Sequence, residues 1–285
     1  MWARREKLLT QEETRGLEDF ADQIREKTIY TIGHLGIGHV GGSLSIADLL
    51  ALLYGKEMHV DPKNPHMEGR DLLVLSKGHS GPALYSALAL KGFFPMSWLD
   101  TLNQGGTNLP SHCDRTRTPG IDMTTGSLGQ GLSVACGMAY ACRLDGWKNH
   151  VYAVIGDGES DEGQNWEAGI FACQFKLDNL IAFTDYNKWQ LDGTNDEIMS
   201  LGDIEGKWRT FGWDVERVDG HDINALYQAV EHAKKKAGKP HMIIMDTIKG
   251  YQAAFTQGVF NHHMPVTKQE MEETIAYIEK RRKAR

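Results

Sequence analysis

The 285-residue sequence is short of paired cysteines, long apolar runs and positive charge. Its four cysteines, Cys113, Cys136, Cys142 and Cys173, form no C-x-x-C pair. A chain of this length needs no covalent staple, so reduced, buried thiols are expected. Apolar stretches such as residues 46–54 are too short and interrupted to cross a bilayer. The opening MWARREKLLTQEE is basic but lacks the continuous apolar segment of a secretory signal. The expectation is a soluble, cytoplasmic protein with no membrane partner. A formal net charge of −7 argues against general affinity for nucleic acid. The basic runs at 234–236 and 280–285 read as solvated helix ends. No repeat, low-complexity tract or composition break marks a linker, and the length allows one large domain or two small ones.

What is present begins with "GHLGIGHVGG", where Gly36, Gly38 and Gly41 have the G-x-G-x-x-G spacing of a dinucleotide-binding turn. That reading requires a strand immediately before the first glycine. Upstream, however, Leu17, Phe20, Ala21, Ile24, Thr28 and Ile32 recur at helical steps. A helix precedes the glycines, and the dinucleotide reading falls. Residues 45–54 read as a second helix with Ser43 or Ser45 as its cap.

Further on, short apolar runs at 72–76, 151–155, 180–184, 215–218 and 242–247 are continuous rather than alternating, as in strands covered on both faces. Helical patterns at 83–91, 130–144, 165–174, 204–211, 223–236 and 268–283 separate them. The expected class is α/β, a mostly parallel sheet with helices on both faces. Ligands of such sheets gather at the carboxyl ends of the strands. One run there ends in Gly156-Asp157-Gly158 and the next in Asp185-Tyr186-Asn187. Gly-Asp-Gly alone could equally be a tight turn. Paired with Asn187, Asp157 presents the oxygen ligands that a hard cation such as Mg²⁺ or Ca²⁺ takes, and a diphosphate-bearing cofactor would supply further ones.

Residues 156–193, "GDGESDEGQNWEAGIFACQFKLDNLIAFTDYNKWQLDG", resemble the thiamine diphosphate motif, and "GHVGGSLS", "LSKGHSGPALYSAL" and "TTGSLGQGLSVACGMAYA" resemble the transketolase family. The resemblance implies a thiamine-diphosphate-binding fold of the diphosphate-binding type over residues 1–285. It implies that Asp157, Asn187 and the carbonyl of Trp189 hold the ion, and that Gly156 and Gly158 lie against the diphosphate. Gly126, Ser127 and Leu128 line the cofactor's other side, with Ser127 standing where relatives usually have proline. His39, His79 and His112 match positions whose imidazoles face the reacting carbon and the sugar hydroxyls. "NHHMP" offers His262 or His263 as a further one, with His262 preferred and also placed among the cofactor contacts together with His79. Glu162 matches a carboxylate between the two cofactors of a dimer, while Tyr186 replaces an aspartate found in many relatives.

An unperturbed pKa of about 6.5 suits imidazoles to donate or accept a proton near neutrality. His34, His59, His66, His150, His232 and His241 read as solvent or packing residues, and His221 in "DGHD" as a turn residue at a strand exit. Residues 129–141 are rich in small side chains, which reads as tight internal packing or as an interface between subunits under the cofactor. The family also needs a pyrimidine-binding domain, whose glutamate lies outside this sequence. The implied protein is the N-terminal subunit of a split transketolase, in an α2β2 assembly with a C-terminal partner. It would transfer a two-carbon ketol unit between phosphorylated or free sugars. The alternatives are the α subunit of a 2-oxo acid dehydrogenase E1 component and a non-catalytic half-domain that binds the cofactor.

Overall fold

The computed structural model describes residues 8–257 and 262–285. Helix α1 (Gln11–Leu35) opens on a reciprocal cap: Glu13 N–H donates to Thr10 Oγ1 at 3.1 Å and Thr10 N–H to Glu13 Oε2 at 2.8 Å. These bonds satisfy amides that a helix start leaves bare. The helix ends at Gly36, whose φ of 87° suits a residue without Cβ. The glycine cluster therefore follows a helix, and the strand after it, β1 (Ile37–Gly38), lies outside the main sheet, paired antiparallel with Met264–Pro265.

The single helix expected over 45–54 is broken. The chain forms α2 (Gly41–Leu44), then α3 (Ala47–Leu52), which runs on as a π-helical turn at Leu53–Glu57. Neither Ser43 nor Ser45 caps it. Ser43 Oγ donates to the His39 carbonyl at 2.6 Å, and Ser45 Oγ to the Gly42 carbonyl at 3.1 Å and to Asp185 Oδ2 at 2.7 Å. Ser43 bonds back within its own turn, whereas Ser45 is drawn to Asp185 on β4, at the break between the two helices.

Strand β2 (Leu72–Leu75) leads into α4 (Gly81–Lys91), and α5 (Gln130–Leu144) into β3 (Val151–Gly156). Next come α6 (Gly163–Gln174), β4 (Leu180–Tyr186), the short α7 (Asn195–Ile198), α8 (Ile204–Phe211) and β5 (Asp214–Asp219). The chain closes with α9 (Ile223–Lys235), β6 (His241–Asp246), β7 (Met264–Pro265) and α10 (Lys268–Ala284). The main sheet has the order β2-β3-β4-β6-β5, and every pairing in it is parallel.

Successive strand residues enter opposite cores, as strand geometry requires. Leu73, Leu75, Tyr152, Val154, Ile181 and Phe183 pack with α1, α3, α4 and α9, whereas Val74, Ala153, Ile155, Leu180 and Ala182 pack with α5, α6 and α8. The exception to double coverage is β5. It forms one edge of the sheet and, unlike β2 at the other edge, has no fully buried residue. Its apolar run of 215–218 has the look of a covered strand but is interrupted by Glu216 and Arg217, which face outward to varying degrees.

All four cysteines are free; Cys113, Cys136 and Cys142 are buried, but Cys173 is half-buried. Among the described residues no helix is long and apolar enough to cross a membrane. On the inner face of α5 the small residues serve close internal packing: Ala135 and Ala139 are buried, and a Cβ at Gly131 would stand 2.3 Å from Ser76 Oγ, while Gly137 and Ala141 on its outer face are exposed. Gly131→Val should therefore force α5 away from β2 and destabilise the chain by about 1–3 kcal/mol, read as a lower urea midpoint at unchanged m.

Candidate active site

The carboxyl ends of β2, β3, β4 and β6 lie side by side, so the residues following them share one edge of the sheet. Gly156 on β3 pairs in register with Asp185 on β4, and Asp157 N–H donates to the Asp185 carbonyl at 3.2 Å. Asp157 is only 2% exposed. Its hydrogen-bond donors, the Gly158 amide at 2.8 Å, the Lys188 amide and Asn195 Nδ2 at 3.0 Å, are all uncharged. Burial first, and Asp185 second, push this carboxyl up to about 6. A buried carboxylate with uncharged donors is one whose ionised form a cation would stabilise.

The neighbouring groups fit that cation. Asn187 is nearly buried, with Oδ1 accepting from the Trp189 amide at 3.1 Å and Nδ2 donating to Asp185 Oδ2 at 3.0 Å. Between them Lys188 takes a φ of 70°, a left-handed conformation uncommon for a residue with a side chain. This sharp reversal aims the Lys188 amide at Asp157. Gly158 faces the same cleft, and a Cβ there would meet Gln190 Cγ at 2.8 Å, so the backbone is approached closely where a side chain has no room. Asp157, Asn187 and the Trp189 carbonyl are oxygen donors of the kind a hard divalent ion takes.

Two lysines not singled out in the sequence complete this end of the cleft. Lys77, 1% exposed, forms an ion pair with Asp185 and donates to the Gly42 carbonyl at 2.8 Å. Burial alone would raise the Asp185 carboxyl, but the Lys77 charge and the hydrogen bonds from Lys77, Thr247 and Ser45 hold it below the usual range. Lys249, in the loop after β6, donates to the carbonyls of Trp189 at 3.3 Å and Gln190 at 2.9 Å. Burial pushes its ammonium down to about 8. A third group that sequence reasoning passes over is Glu159. It accepts from Ser76 Oγ and from the amides of Gly129 and Gly156, both at 2.9 Å, and so ties the exits of β2 and β3 to the start of α5.

The cleft, of about 310 Å³, is also lined by Leu128, Glu162, His79 and His262. Ser127 is exposed beside Leu128, and its carbonyl accepts from the Gln130 amide at 3.4 Å. Gly126 has a φ of 144°, and a Cβ on it would lie 3.0 Å from His112 Cδ2. A second cleft of about 340 Å³, between the 248–257 loop and α10, is lined by Tyr251, Phe255, Tyr277, Glu270 and Glu273 and has no cationic side chain among the described residues of its lining. It does not suit a diphosphate.

Imidazoles crowd the other end of the first cleft. The His39 ring lies 5.3 Å from each of His79, His112 and His262 and 4.6 Å from His263, and His79 lies 4.6 Å from His262. Both members of the "NHHMP" pair thus reach the group. The β1–β7 ribbon makes this possible, because Gly38 pairs with Met264 and so brings His39 beside His262 and His263. No periodicity in the sequence announces a two-residue strand.

Histidine titration near neutrality is not what this environment supports. Burial and the neighbouring imidazoles push His39 down to about 3. Burial, with Lys249 and Lys77 next, pushes His262 down to about 4, and His79 is held well below its ordinary value by burial and Lys77. At pH 7 these rings are neutral, each with one N–H donor and one acceptor.

Among the remaining histidines, His34 stacks on Tyr30, and His232 and His241 approach Glu216 and Asp214. Tyr186, in place of the aspartate, packs on the second core under the Arg217 guanidinium, 5.1 Å from its ring. His221 is more than a turn residue: it contacts Asp48 and the Ile248 amide.

A thiamine-diphosphate-type α/β domain is the class that this fold and cleft define. The family model for the transketolase thiamine diphosphate binding domain matches residues 17–278. The chain is 57% identical over 265 residues to the 6-deoxy-6-sulfo-D-fructose transketolase subunit of Clostridium sp. (strain MSTE9), covering 93% of this chain and 96% of that protein. It is 39% identical over 253 residues to an apulose-4-phosphate transketolase subunit of Actinobacillus succinogenes, covering 88% and 91% of the two. The solved transketolase from Campylobacter jejuni superposes with a TM-score of 0.87 at 29% identity, over 96% of this chain and 43% of that one. The chain belongs to the transketolase family. These similarities favour the transketolase reading over the 2-oxo acid dehydrogenase one.

The depressed histidines give stability a pH dependence. Their folded pKa values lie below the unfolded value of about 6.5, so the unfolded chain binds more protons once pH falls below that value. The histidine contribution to stability should be level above pH 7 and decline from about pH 6.5 downward, opposed in part by Asp157, whose folded value of about 6 lies above the unfolded carboxylate value. His79→Gln should make the decline shallower in a thermal denaturation series.

Proposed function

We propose that this chain is the N-terminal subunit of a two-chain, thiamine-diphosphate-dependent transketolase, moving a two-carbon ketol unit from a ketose to an aldose acceptor. The observation that carries the reading is the division of one cleft into two chemical ends. One end holds Asp157, Asn187, the Trp189 carbonyl, Lys77 and Lys249; the other holds neutral imidazoles. In this reading Asp157, Asn187 and the Trp189 carbonyl hold Mg²⁺ or Ca²⁺, and the two ammonium groups face the diphosphate. Gly156 and Gly158 let the backbone approach it, and Gly126, Ser127 and Leu128 line the cofactor's other side.

Thiamine diphosphate, when bound, supplies the electron sink that allows a bond beside a ketose carbonyl to break. The protein's share is binding, orientation and proton management. His39, His79, His112 and His262 are the catalytic set. As neutral rings they donate an N–H to sugar oxygens and accept a hydroxyl proton at the other nitrogen. His79 and His262 also lie at the boundary with the diphosphate end and serve both functions. Several donors and acceptors in one place suit a polyhydroxylated substrate better than a 2-oxo acid, which has fewer groups to hold.

A C-terminal partner chain completes the assembly as α2β2, with the exposed Glu162 turned to it. Support comes from relatives that this chain spans almost whole and whose names call them subunits. The described residues compose one diphosphate-binding domain, and the partner brings the pyrimidine-binding and C-terminal domains. A phosphorylated or free ketose is the donor. The relative that acts on 6-deoxy-6-sulfo-D-fructose adds sulfonated ketoses to the screen. Four free thiols and the absence of a membrane-spanning helix among the described residues support a cytoplasmic setting.

The test is reconstitution. The purified chain with thiamine diphosphate and Mg²⁺ should show no ketol transfer alone and should gain it with the partner, using ketoses and not pyruvate as donors. Transfer by the chain alone, or pyruvate use by the complex, would overturn the proposal. In the reconstituted complex, Asp157→Ala should lower kcat/KM by about a hundredfold or more and remove the Mg²⁺-dependent rise in Tm given by thiamine diphosphate.

A further inference from the structure

Lys249 is held in the cleft by a loop, and the loop is fastened at its start by a residue far from the cleft's chemistry. His221 lies just beyond β5, the edge strand. Its Nε2 stands 3.0 Å from the amide nitrogen of Ile248, the residue preceding Lys249. Its Nδ1 stands 2.8 Å from Asp48 Oδ2. An amide can only donate, so Nε2 is the unprotonated nitrogen and Nδ1 carries the proton that Asp48 accepts. Asp48 is kept ionised by the buried Arg25 guanidinium, which also sits 4.9 Å from the centroid of the Tyr251 ring. Tyr251 stacks on His221 with ring centroids 3.7 Å apart and planes within 15°.

The ring is thereby fixed in tautomer by Asp48, in plane by Tyr251 and in direction by Ile248. Ile248 itself is 49% exposed, so apolar packing does little to hold the loop at this point. Other anchors flank it, with Thr247 Oγ1 donating to Asp185 and the Gly250 amide to the Gly41 carbonyl at 2.9 Å. Gln257 Nε2 donates to the Lys249 carbonyl at 3.5 Å and the Gly250 carbonyl at 2.9 Å, and the His221 contact is the one made to the Ile248 amide.

We propose that His221, oriented by Asp48, is a positioning residue that sets the backbone before Lys249 and so aims the Lys249 ammonium into the cleft. The relation to cofactor binding rests on the reading of Lys249 given above; the relation to Lys249's position does not. Without the acceptor at Nε2 the Ile248 amide turns to water, the loop gains freedom, and the ammonium spends less time on the Trp189 and Gln190 carbonyls.

The test uses two variants and two readouts. His221→Phe keeps a ring to stack on Tyr251 but removes both nitrogens, whereas His221→Gln retains an oxygen able to accept from Ile248. In the full chain, acylation of Lys249 by acetic anhydride, followed by peptide mass spectrometry, should be about five- to tenfold faster in His221→Phe and within twofold of wild type in His221→Gln. The exposed Lys188 should react at an unchanged rate in both, which separates local release from general loosening. Wild-type Lys249 reactivity in His221→Phe, or equal acceleration at every lysine, would overturn the inference.

In the reconstituted complex, His221→Phe should raise the KM for thiamine diphosphate several-fold with kcat within twofold, and His221→Gln should restore it. A fall in kcat at unchanged KM would overturn the positioning role. Faster acylation of Lys249 with an unmoved cofactor KM would uphold the loop contact and instead overturn the assignment of Lys249 to the diphosphate.

Discussion

The buried pair of Lys77 and Asp185 ties the ends of β2 and β4 together across the intervening β3, and the cleft is arranged around it. Taking two charges out of water costs more than their attraction returns unless their other hydrogen-bonding positions are filled. Here they are filled from several elements. Asp185 also receives Ser45 from the α2–α3 corner, Thr247 from the exit of β6 and Asn187 from its own strand exit, while Lys77 reaches Gly42. Each donor that satisfies the pair is thereby located, and so are the residues beside it. The broken helix at 41–52 follows from the same demand, since an unbroken helix would keep Ser45 and the Gly42 carbonyl from the pair.

That arrangement separates two kinds of chemistry within one cleft. Ammonium groups and the Asp157 carboxylate occupy the end formed by the strand exits, where an ion and an anionic group can neutralise each other. Imidazoles occupy the other end, and burial holds His39, His79 and His262 uncharged. The proximity of Lys77 and Lys249 reinforces this, because a cation near an imidazole opposes a second positive charge. The result is an end that binds charge and an end that binds hydroxyl groups, without a neutralising acid among the histidines.

The histidine group depends on a very small piece of structure. Two residues of β1 and two of β7 join segments more than 200 positions apart in the chain. Only through that ribbon do the glycine-rich turn after α1 and the His262-His263 pair become neighbours. The loop after β6 depends in turn on contacts from β5 and α3, so both ends of the cleft are held by elements outside the sheet's centre.

Much of this protein is legible in its amino-acid order. The continuous apolar runs identify the four covered strands, because a strand between two helix layers can spare no polar face. Asp157 and Asn187 stand out because each follows such a run, where parallel sheets place their ligands. The edge position of β5 is not legible, since Val215 and Val218 resemble the apolar residues of covered strands. Lys77 sits unmarked within the "LSKGHSG" stretch, Lys249 carries no motif, and lysines ordinarily point to water. The sequence by itself determined the layered α/β class, the order of the main-sheet strands along the chain and the carboxylate and amide that leave adjacent strands. Only the tertiary structure decided which lysines are buried, that five imidazoles meet, that burial depresses His39, His79, His112 and His262 and that His221 reaches the loop before Lys249. Those outcomes depend on burial and on contacts between distant segments, and neither quantity has a periodicity that a linear sequence can carry.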